Sequence, residues 1–362
     1  MAYTTIDDPS AYFHVQLYSG DGGSSNAITN DANAGDFKPD WTWIKERSST
    51  SSHQLIDSSR GDGALYSDND GEEDFYNSGF YFTENTDGFT LGSNNGVNQS
   101  SQTYVAWQWK ANGGTTTSNG ASGDIKASVT QREDTAKFAI CTYTGTGINA
   151  GQSHRVNHGL GTTPHVMIFK NRGAGSTDWV VYHHKNTDAP ETDYLVLNTD
   201  AATADSANKF NDTAPNTSYA TIGGDDNISS NTMVLYSFAE VQGYSKFGSY
   251  VGNGGSSAAR FDGPFVYTGF KPAWIMTKRS SSSGGSWAIV DNKRDTINPT
   301  QIALFANTNG ADDTDKKVDF LSNGFKLRNS RDDFNTDGVT YVYMAFAKHP
   351  FVSSEGVPVT AK

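Results

Sequence analysis

The side chains that could do chemistry in this chain are eight histidines, one cysteine and several acidic clusters, and their spacing decides which chemistry is open to them. His183 and His184 are adjacent, and neighbours in a strand point to opposite faces, so the pair is a poor chelator of one metal. His154 and His158 flank Val156 in a Gly-rich stretch, with His165 directly after Pro164. A zinc site would need four ligands with a Cys or carboxylate set at suitable spacing, and Cys141 supplies no such pattern. The acidic segments Asp68-Asn-Asp70-Gly-Glu72-Glu73-Asp74, Asp225-Asp226 and Asp312-Asp313 carry the oxygen chemistry that calcium uses. None fits the alternating donors and closing Glu of an EF-hand loop, so solvated loop charge is the expectation. No metal and no cofactor are expected.

Nucleophilic catalysis has no G-x-S-x-G to rest on. Paired carboxylates for glycoside hydrolysis are set by the fold rather than by sequence spacing. Asp57 and Asp291 recur with Arg60 and Arg294, which favours ion pairs across a turn, or with the Lys-x-Arg end of a neighbouring strand, over a catalytic pair. The Asn-x-Ser/Thr sites at Asn98, Asn211, Asn216 and Asn227 accompany no expected secretory leader, since Met1–Asp8 lacks a basic start and an apolar stretch. Asn98 and Asn227 read better as turn residues before a strand. The chain is therefore expected to be non-enzymatic.

The elements that position these residues repeat three times, which self-comparison of the chain reveals. A strand ends in Tyr18-Ser-Gly20, Tyr143-Thr-Gly145 and Tyr250-Val-Gly252. A proline then opens a second strand at Pro39, Pro164 and Pro272, followed six residues later by Lys45, Lys170 and Lys278. Arg47, Arg172 and Arg279 lie one or two residues beyond. The unit closes with Asn98-x4-Thr103, Asn227-x4-Thr232 and Asn335-x4-Thr340, each Thr leading a strand to an aromatic: Trp109, Phe238 and Phe346. The first and third copies share Asp-x-x-Arg at Asp57 and Asp291, where the second has His183-His184.

In the closing strand Val105, Trp107 and Trp109 share one face and Tyr104 and Ala106 the other, so the strand is expected to be central, with one face in a core and the other partly covered. Six or more strands per unit and no strong amphipathic helix predict an all-β fold of three tandem β-sandwich repeats, a jelly roll being one form. The divisions predicted are 1–112, a flexible Gly/Ser/Thr/Asn-rich linker at 113–137, 138–241, 242–351 with a fixed orientation to the second unit, and a tail at 352–362. Composition agrees: 37 Gly and many Ser, Thr, Asn and Asp supply turns, while 20 Phe, 17 Tyr and 7 Trp supply apolar area. A net charge of −13 makes nucleic acid a poor partner, and no apolar window is long enough to span a membrane. Aromatics in loops that differ between copies are the surface candidates for a receptor or partner: Phe75, Tyr76, Phe80, Tyr81, Phe210, Tyr219 and Phe334.

Gly269-Phe-Lys-Pro-Ala-Trp274 with Lys278-Arg279, Asp87-Gly-Phe-Thr-Leu-Gly-Ser93, Thr103-Tyr-Val-Ala-Trp107, and Phe238-Ala-Glu240 with Tyr244-Ser-Lys-Phe-Gly-Ser249 carry a resemblance over about residues 15–351. They resemble a β-domain that recurs in tandem in structural proteins of tailed, particularly marine, bacteriophages. The resemblance implies a virion location, mostly in tail or fibre-type proteins, and no catalytic residues. It makes a tail fibre or receptor-binding component the first expectation, made in the host cytoplasm and contacting other virion proteins and host-surface glycan. A head decoration protein, a carbohydrate-binding module array and a glycan-degrading enzyme follow. Open β edges make a symmetric homo-oligomer, with a trimer for a fibre, the expected assembly.

Overall fold

The computed structural model describes residues 3–31, 37–61, 63–75, 82–118, 125, 128–147, 154–254 and 262–359. It is nearly all β, with 42 % strand and 4 % helix. Each unit is built on the same antiparallel main sheet, ordered opening strand, closing strand, proline-led strand, return strand. In the first unit these are Phe13–Ser19, Thr103–Trp109, Trp41–Glu46 and Gln54–Asp57. In the second they are Phe138–Thr144, Thr232–Phe238, Val166–Asn171 and Val180–His183. In the third they are Ser245–Val251, Thr340–Pro350, Phe270–Arg279 and Ala288–Asp291. Pro272 sits where the ladder slips register, one of the few places a sheet accepts proline.

A smaller sheet covers the outer face of each main sheet. In the first unit Phe89–Leu91 pairs with Asn26–Ile28 on one side and Phe82–Glu84 on the other, in the second His154–Asn157 pairs with Tyr219–Ile222, and in the third Gly324–Leu327 pairs with Phe265–Tyr267 on one side and Val318–Leu321 on the other. Between the two layers lies a core belonging to one unit alone, such as Ile44, Ile56, Phe89, Leu91, Val97 and Tyr104 in the first. The sandwich expectation holds for each copy.

The recurring Tyr, Gly and Asn form one latch at the end of this core. Tyr18, Tyr143 and Tyr250 donate their hydroxyls to the carbonyls of Val97, Asp226 and Phe334 at 2.9, 2.8 and 2.8 Å. The side-chain carbonyls of buried Asn98, Asn227 and Asn335 accept from the amides of Asp21, Thr146 and Asn253 at 3.0, 2.8 and 2.8 Å. The glycine is required by close approach: a Cβ on Gly20, Gly145 or Gly252 would lie 2.2, 2.0 or 2.1 Å from a backbone oxygen of the opposite segment. Alanine at any of the three is expected to destabilise the fold by about 1–3 kcal/mol, the usual range for overpacking. Urea titration showing a loss below about 0.5 kcal/mol would mean that the segment moves aside freely.

The inner faces of the main sheets are where the structure departs from a string of separate domains. Trp41, Trp43, Trp107 and Trp109 of the first unit, Phe138, Ile168, Tyr236 and Phe238 of the second, and Phe247, Trp274, Met276 and Phe346 of the third belong to one continuous buried cluster. Ring centroids stand 4.5 Å apart for Trp41–Tyr236, 5.8 Å for Trp109–Trp274 and 5.9 Å for Phe238–Phe346, so every pair of units is joined by aromatic contact. The face expected to be partly covered is fully covered, and its cover is the other two units. Residues 113–137, expected to be a flexible linker, contribute Thr117–Ser118 and Ser128–Glu133 as two further strands on the second unit's sheet. Residues 119–124, 126 and 127 of that segment lie outside the described residues. The tail folds back, with Val359 donating to the Phe351 carbonyl and Ser354 bonding Asp7 near the other terminus.

Candidate functional site

The polar side chains with the most unusual surroundings lie where one unit meets the next. The return strand of each unit faces the closing strand of another, in the closed order first to second, second to third, third to first. At the first junction Asp57 pairs with Arg60, Arg60 also binds Glu73, Glu73 binds Arg172 of the second unit at 2.6 Å, and Tyr236 donates to Asp57 at 2.6 Å. At the third-to-first junction Asp291 pairs with Arg294 at 2.6 Å, Arg294 binds Asp312 at 3.0 Å, Asp312 binds Arg47 at 2.9 Å, and the Trp107 indole donates to Asp291 at 3.1 Å. Burial opposes the charge on Asp291, yet Arg294 beside it overcomes that and holds the carboxyl below its usual range.

The second-to-third junction keeps the geometry with neutral groups. His183, Asn186, Thr203, Ser280 and Met344 take the places of Asp57, Arg60, Glu73, Arg172 and Tyr236. His183 binds the Tyr343 carbonyl at 3.1 Å and Thr203 binds Asn186 at 2.7 Å. Burial pushes the His183 pKa down to about 3, so the ring is neutral. The backbone repeats the pattern at all three junctions: Glu73, Thr203 and Asp312 donate their amides to the carbonyls of Arg172, Ser280 and Arg47 at 3.0, 2.9 and 2.9 Å.

A third set of bonds runs the other way around the ring. The indoles of Trp179 and Trp287 donate to the carbonyls of Tyr66 and Val196, both at 2.8 Å. His53 holds the matching place and lies 2.9 Å from the Phe305 carbonyl. Because its Nδ1 accepts from the Trp43 indole at 2.8 Å, Nε2 carries the proton and the ring acts as a third indole-like donor. Burial holds His53 far below its ordinary pKa. Lys45, Lys170 and Lys278 are buried beside these contacts, where their ammonium groups bind the carbonyls of Glu46, Thr177 and Arg279. Burial pushes each of the three down to about 8.

Three further histidines and the cysteine also have structural partners. His158 binds the Asn216 carbonyl at 3.0 Å, His154 the Thr146 hydroxyl at 2.7 Å, and His165 accepts the Glu240 amide at 3.1 Å. Cys141 is buried against the Asn157 carbonyl. Among the described residues no three His, Cys, Asp or Glu side chains cluster in a way that could hold a metal. The first acidic segment is largely structural: Asp68 accepts the His53 amide and Glu73 belongs to the buried junction.

Asp226 differs from these. It is 4 % exposed, its Oδ2 has no hydrogen-bond partner, and it lines a cavity of about 260 Å³ with Asn171, Thr177, Asp178, Lys209 and Asp225. Asn171 is equally buried and its Nδ2 is unpartnered. Lys209 pairs with Asp225 at 3.2 Å rather than with Asp226. Burial raises the Asp226 pKa to about 7, partly offset by Lys209. A carboxyl raised in the folded state binds protons that the unfolded chain has already released. Stability from this group is therefore full below about pH 4 and declines as pH rises toward 7. Urea unfolding at several pH values is expected to show that decline and to lose it in Asp226→Val; an unchanged profile in the variant would assign it elsewhere.

Of the aromatic surface candidates, Phe75 is 53 % exposed and Tyr219 is half-buried under Arg155, 5.3 Å from its ring centroid. Phe210 and Phe334 are core residues at 2 % and 0 % exposure, a correction to their reading as surface contacts. Phe210 ends a single helical turn that folds it onto Phe169 and Tyr182, and Phe334 supplies the carbonyl for Tyr250. Tyr76, Phe80 and Tyr81 lie outside the described residues. Sequence patterning missed His53, Asn171 and Lys209; comparing the three copies position by position was the signal that could have singled out the first two.

Residues 8–350 match a family described as a domain of unknown function, DUF7483. The chain belongs to that family. The DUF7483 match runs without interruption through all three units, so it covers the whole ring rather than one sandwich. No curated protein and no solved structure matches.

Proposed function

We propose that this DUF7483 chain is a non-enzymatic structural protein on the exterior of a tailed-phage virion, serving as a tail-fibre or receptor-binding component in host attachment. The observation that carries this reading is the closed three-unit body. A heterologous contact that closes on itself after three steps makes a rigid threefold-like platform from one chain. Such a platform suits threefold fibre architecture, and the long polar loops between strands present side chains outward. The buried acid, base and histidine groups at the unit junctions are tied to one another or to the backbone, a use consistent with assembly rather than turnover. The motif resemblance to tandem domains of phage structural proteins points the same way. The net charge of −13 argues against a role on packaged nucleic acid.

Immunogold labelling of purified particles with an antibody to this chain tests the proposal. Label on the tail is the expected result, and purified chain should then compete with particles for host adsorption. Label on the head surface would replace attachment with capsid decoration, and absence from the particle would refute both.

A further inference from the structure

We propose that the slot between the opening strand of the first unit and the third unit takes up an extended acidic peptide segment of a partner protein, which pairs with the backbone of Val15 and sets a carboxylate against Lys348. The three junctions act as controls on one another. Lys110 donates its amide to the Tyr12 carbonyl and Gly20 donates to that of Gln102, so the even-numbered residues of Phe13–Ser19 bond the closing strand. The backbone groups of Phe13 and Val15 therefore face the other way, toward the third unit. Counting back from the landmark tyrosine, Val15 corresponds to Ile140 and Phe247.

The other two junctions close this edge. Ile140 pairs with Gln131 of the added strand Ser128–Glu133, and the Gln131 side chain reaches the first unit, donating to the hydroxyls of Ser58 and Ser59 at 2.8 and 2.6 Å. At Phe247 side chains stand in for a strand: Glu240 accepts its amide at 2.9 Å and His184 donates to its carbonyl at 2.7 Å. At the third-to-first junction the positions of Glu240 and His184 hold Lys348 and Asn292. An ammonium cannot accept from an amide. Among the described residues the amide and carbonyl of Val15 have no hydrogen-bond partner.

Phe13, Val15, Ala273, Asn292, Lys293 and Lys348 line a cavity of about 290 Å³ at this place. The side chains of Phe13 and Val15 belong to the shared core, so it is their backbone that borders the slot. What Val15 lacks is one carbonyl and one N–H, and an added strand supplies both. The charges select its composition. Lys293 is paired with Asp31 at 2.6 Å, and the carboxylates of Asp7 and Asp8 are held by the amides of Ser354 and Ser10. Lys348 is exposed and has no ion pair among the described residues. Partial burial, Lys271 and Lys293 hold it below its ordinary pKa, so the ammonium gains from a carboxylate beside it.

The slot is read from the junctions alone and is tested on the isolated full chain, whereas virion location is tested on particles. One probe is the hexapeptide Ser-Val-Thr-Gln-Arg-Glu, the sequence of the strand that fills the first junction. The second is the same peptide with glutamate in place of its glutamine. Amide NMR is expected to show the acidic peptide binding with a Kd of about 0.2 mM, and exchange of the Val15 amide slowing about tenfold at about 2 mM peptide. The acidic peptide should bind about threefold more tightly than the other, and Lys348→Ala, a change at an exposed side chain, should remove that preference. Asn292→His with Lys348→Glu installs the closure seen at Phe247; it should leave the chain folded in urea titration and weaken binding at least tenfold. No slowing at Val15, equal affinity for the two peptides, or binding that survives the double variant would each overturn the proposal. Protection of Val15 that rises with the concentration of the chain alone would give the slot to a second copy and overturn the peptide partner.

Discussion

Arg60→Asn is expected to destabilise the protein by about 3–5 kcal/mol, the cost of breaking a buried ion pair from one side. The variant leaves Asp57 buried with its cationic partner gone, while Glu73 keeps only Arg172. The second-to-third junction shows that the same backbone accepts a neutral set at these positions. Carrying that whole set into the first junction, as Asp57→His, Arg60→Asn, Glu73→Thr, Arg172→Ser and Tyr236→Met together, is expected to restore stability to within about 1–2 kcal/mol of the starting protein, because no uncompensated charge remains. The ion network would then be a matter of matched partners, not of net stabilisation. Urea unfolding of the single and fivefold variants measures both. A single-variant loss below about 1 kcal/mol, or a fivefold variant less stable than the single one, would contradict this account.

The contrast between junctions bears on how the chain holds a defined order of units. Three interchangeable sandwiches could pack around a shared core in either sense. Two charged junctions and one neutral junction remove that degeneracy, since pairing the Asp57 face with the Met344 strand would leave a buried carboxylate without the Tyr236 hydroxyl. Buried polar groups specifying one arrangement among several is a known use of such pairs.

Much of this was legible in the sequence, and the missing part has a physical reason. The Tyr-x-Gly, Pro-x5-Lys and Asn-x4-Thr spacings placed the strands correctly, because each is a local latch whose partners recur at fixed distances. Alternation in Thr103–Trp109 correctly showed two apolar faces. It did not show that the inner face meets two other units, because periodicity reports that a face is buried and not what buries it. The same gap turned 113–137 into a linker: Ser128–Glu133 is a polar strand with little apolar alternation, recognisable only once Thr117–Ser118 and Phe138–Thr144 are beside it. Phe210 and Phe334 were misplaced for a related reason. Both lie in segments that differ between copies, and a single helical turn or a bent loop can return an aromatic to the core. Asp226 was read as loop charge, because a carboxyl's burial depends on neighbours far away in sequence.

Trp109→Ala is expected to lower stability by about 3–5 kcal/mol and to do so for all three units at once. Its ring centroid stands 4.5 Å from Trp41 and 5.0 Å from Phe13 in its own unit, and 5.8 Å from Trp274 and 5.7 Å from Phe346 in the third. Trp41 in turn stacks on Tyr236 of the second unit. A cavity at this point therefore removes packing from every sheet, and the chain should still unfold in one cooperative transition with coincident probes. Trp109→Phe separates packing from shape. Phe238 and Phe346 occupy the same position in the other units, and the indole nitrogen of Trp109 has no hydrogen-bond partner, so this change should cost below about 1.5 kcal/mol. Hydrogen exchange resolves the outcome by unit. Protection in Phe138–Thr144 and Ser245–Val251 should fall together with protection in Phe13–Ser19 under Trp109→Ala. A loss confined to the first unit would mean that the three sandwiches are stable independently and that the shared aromatic core does not bind them into one folding unit.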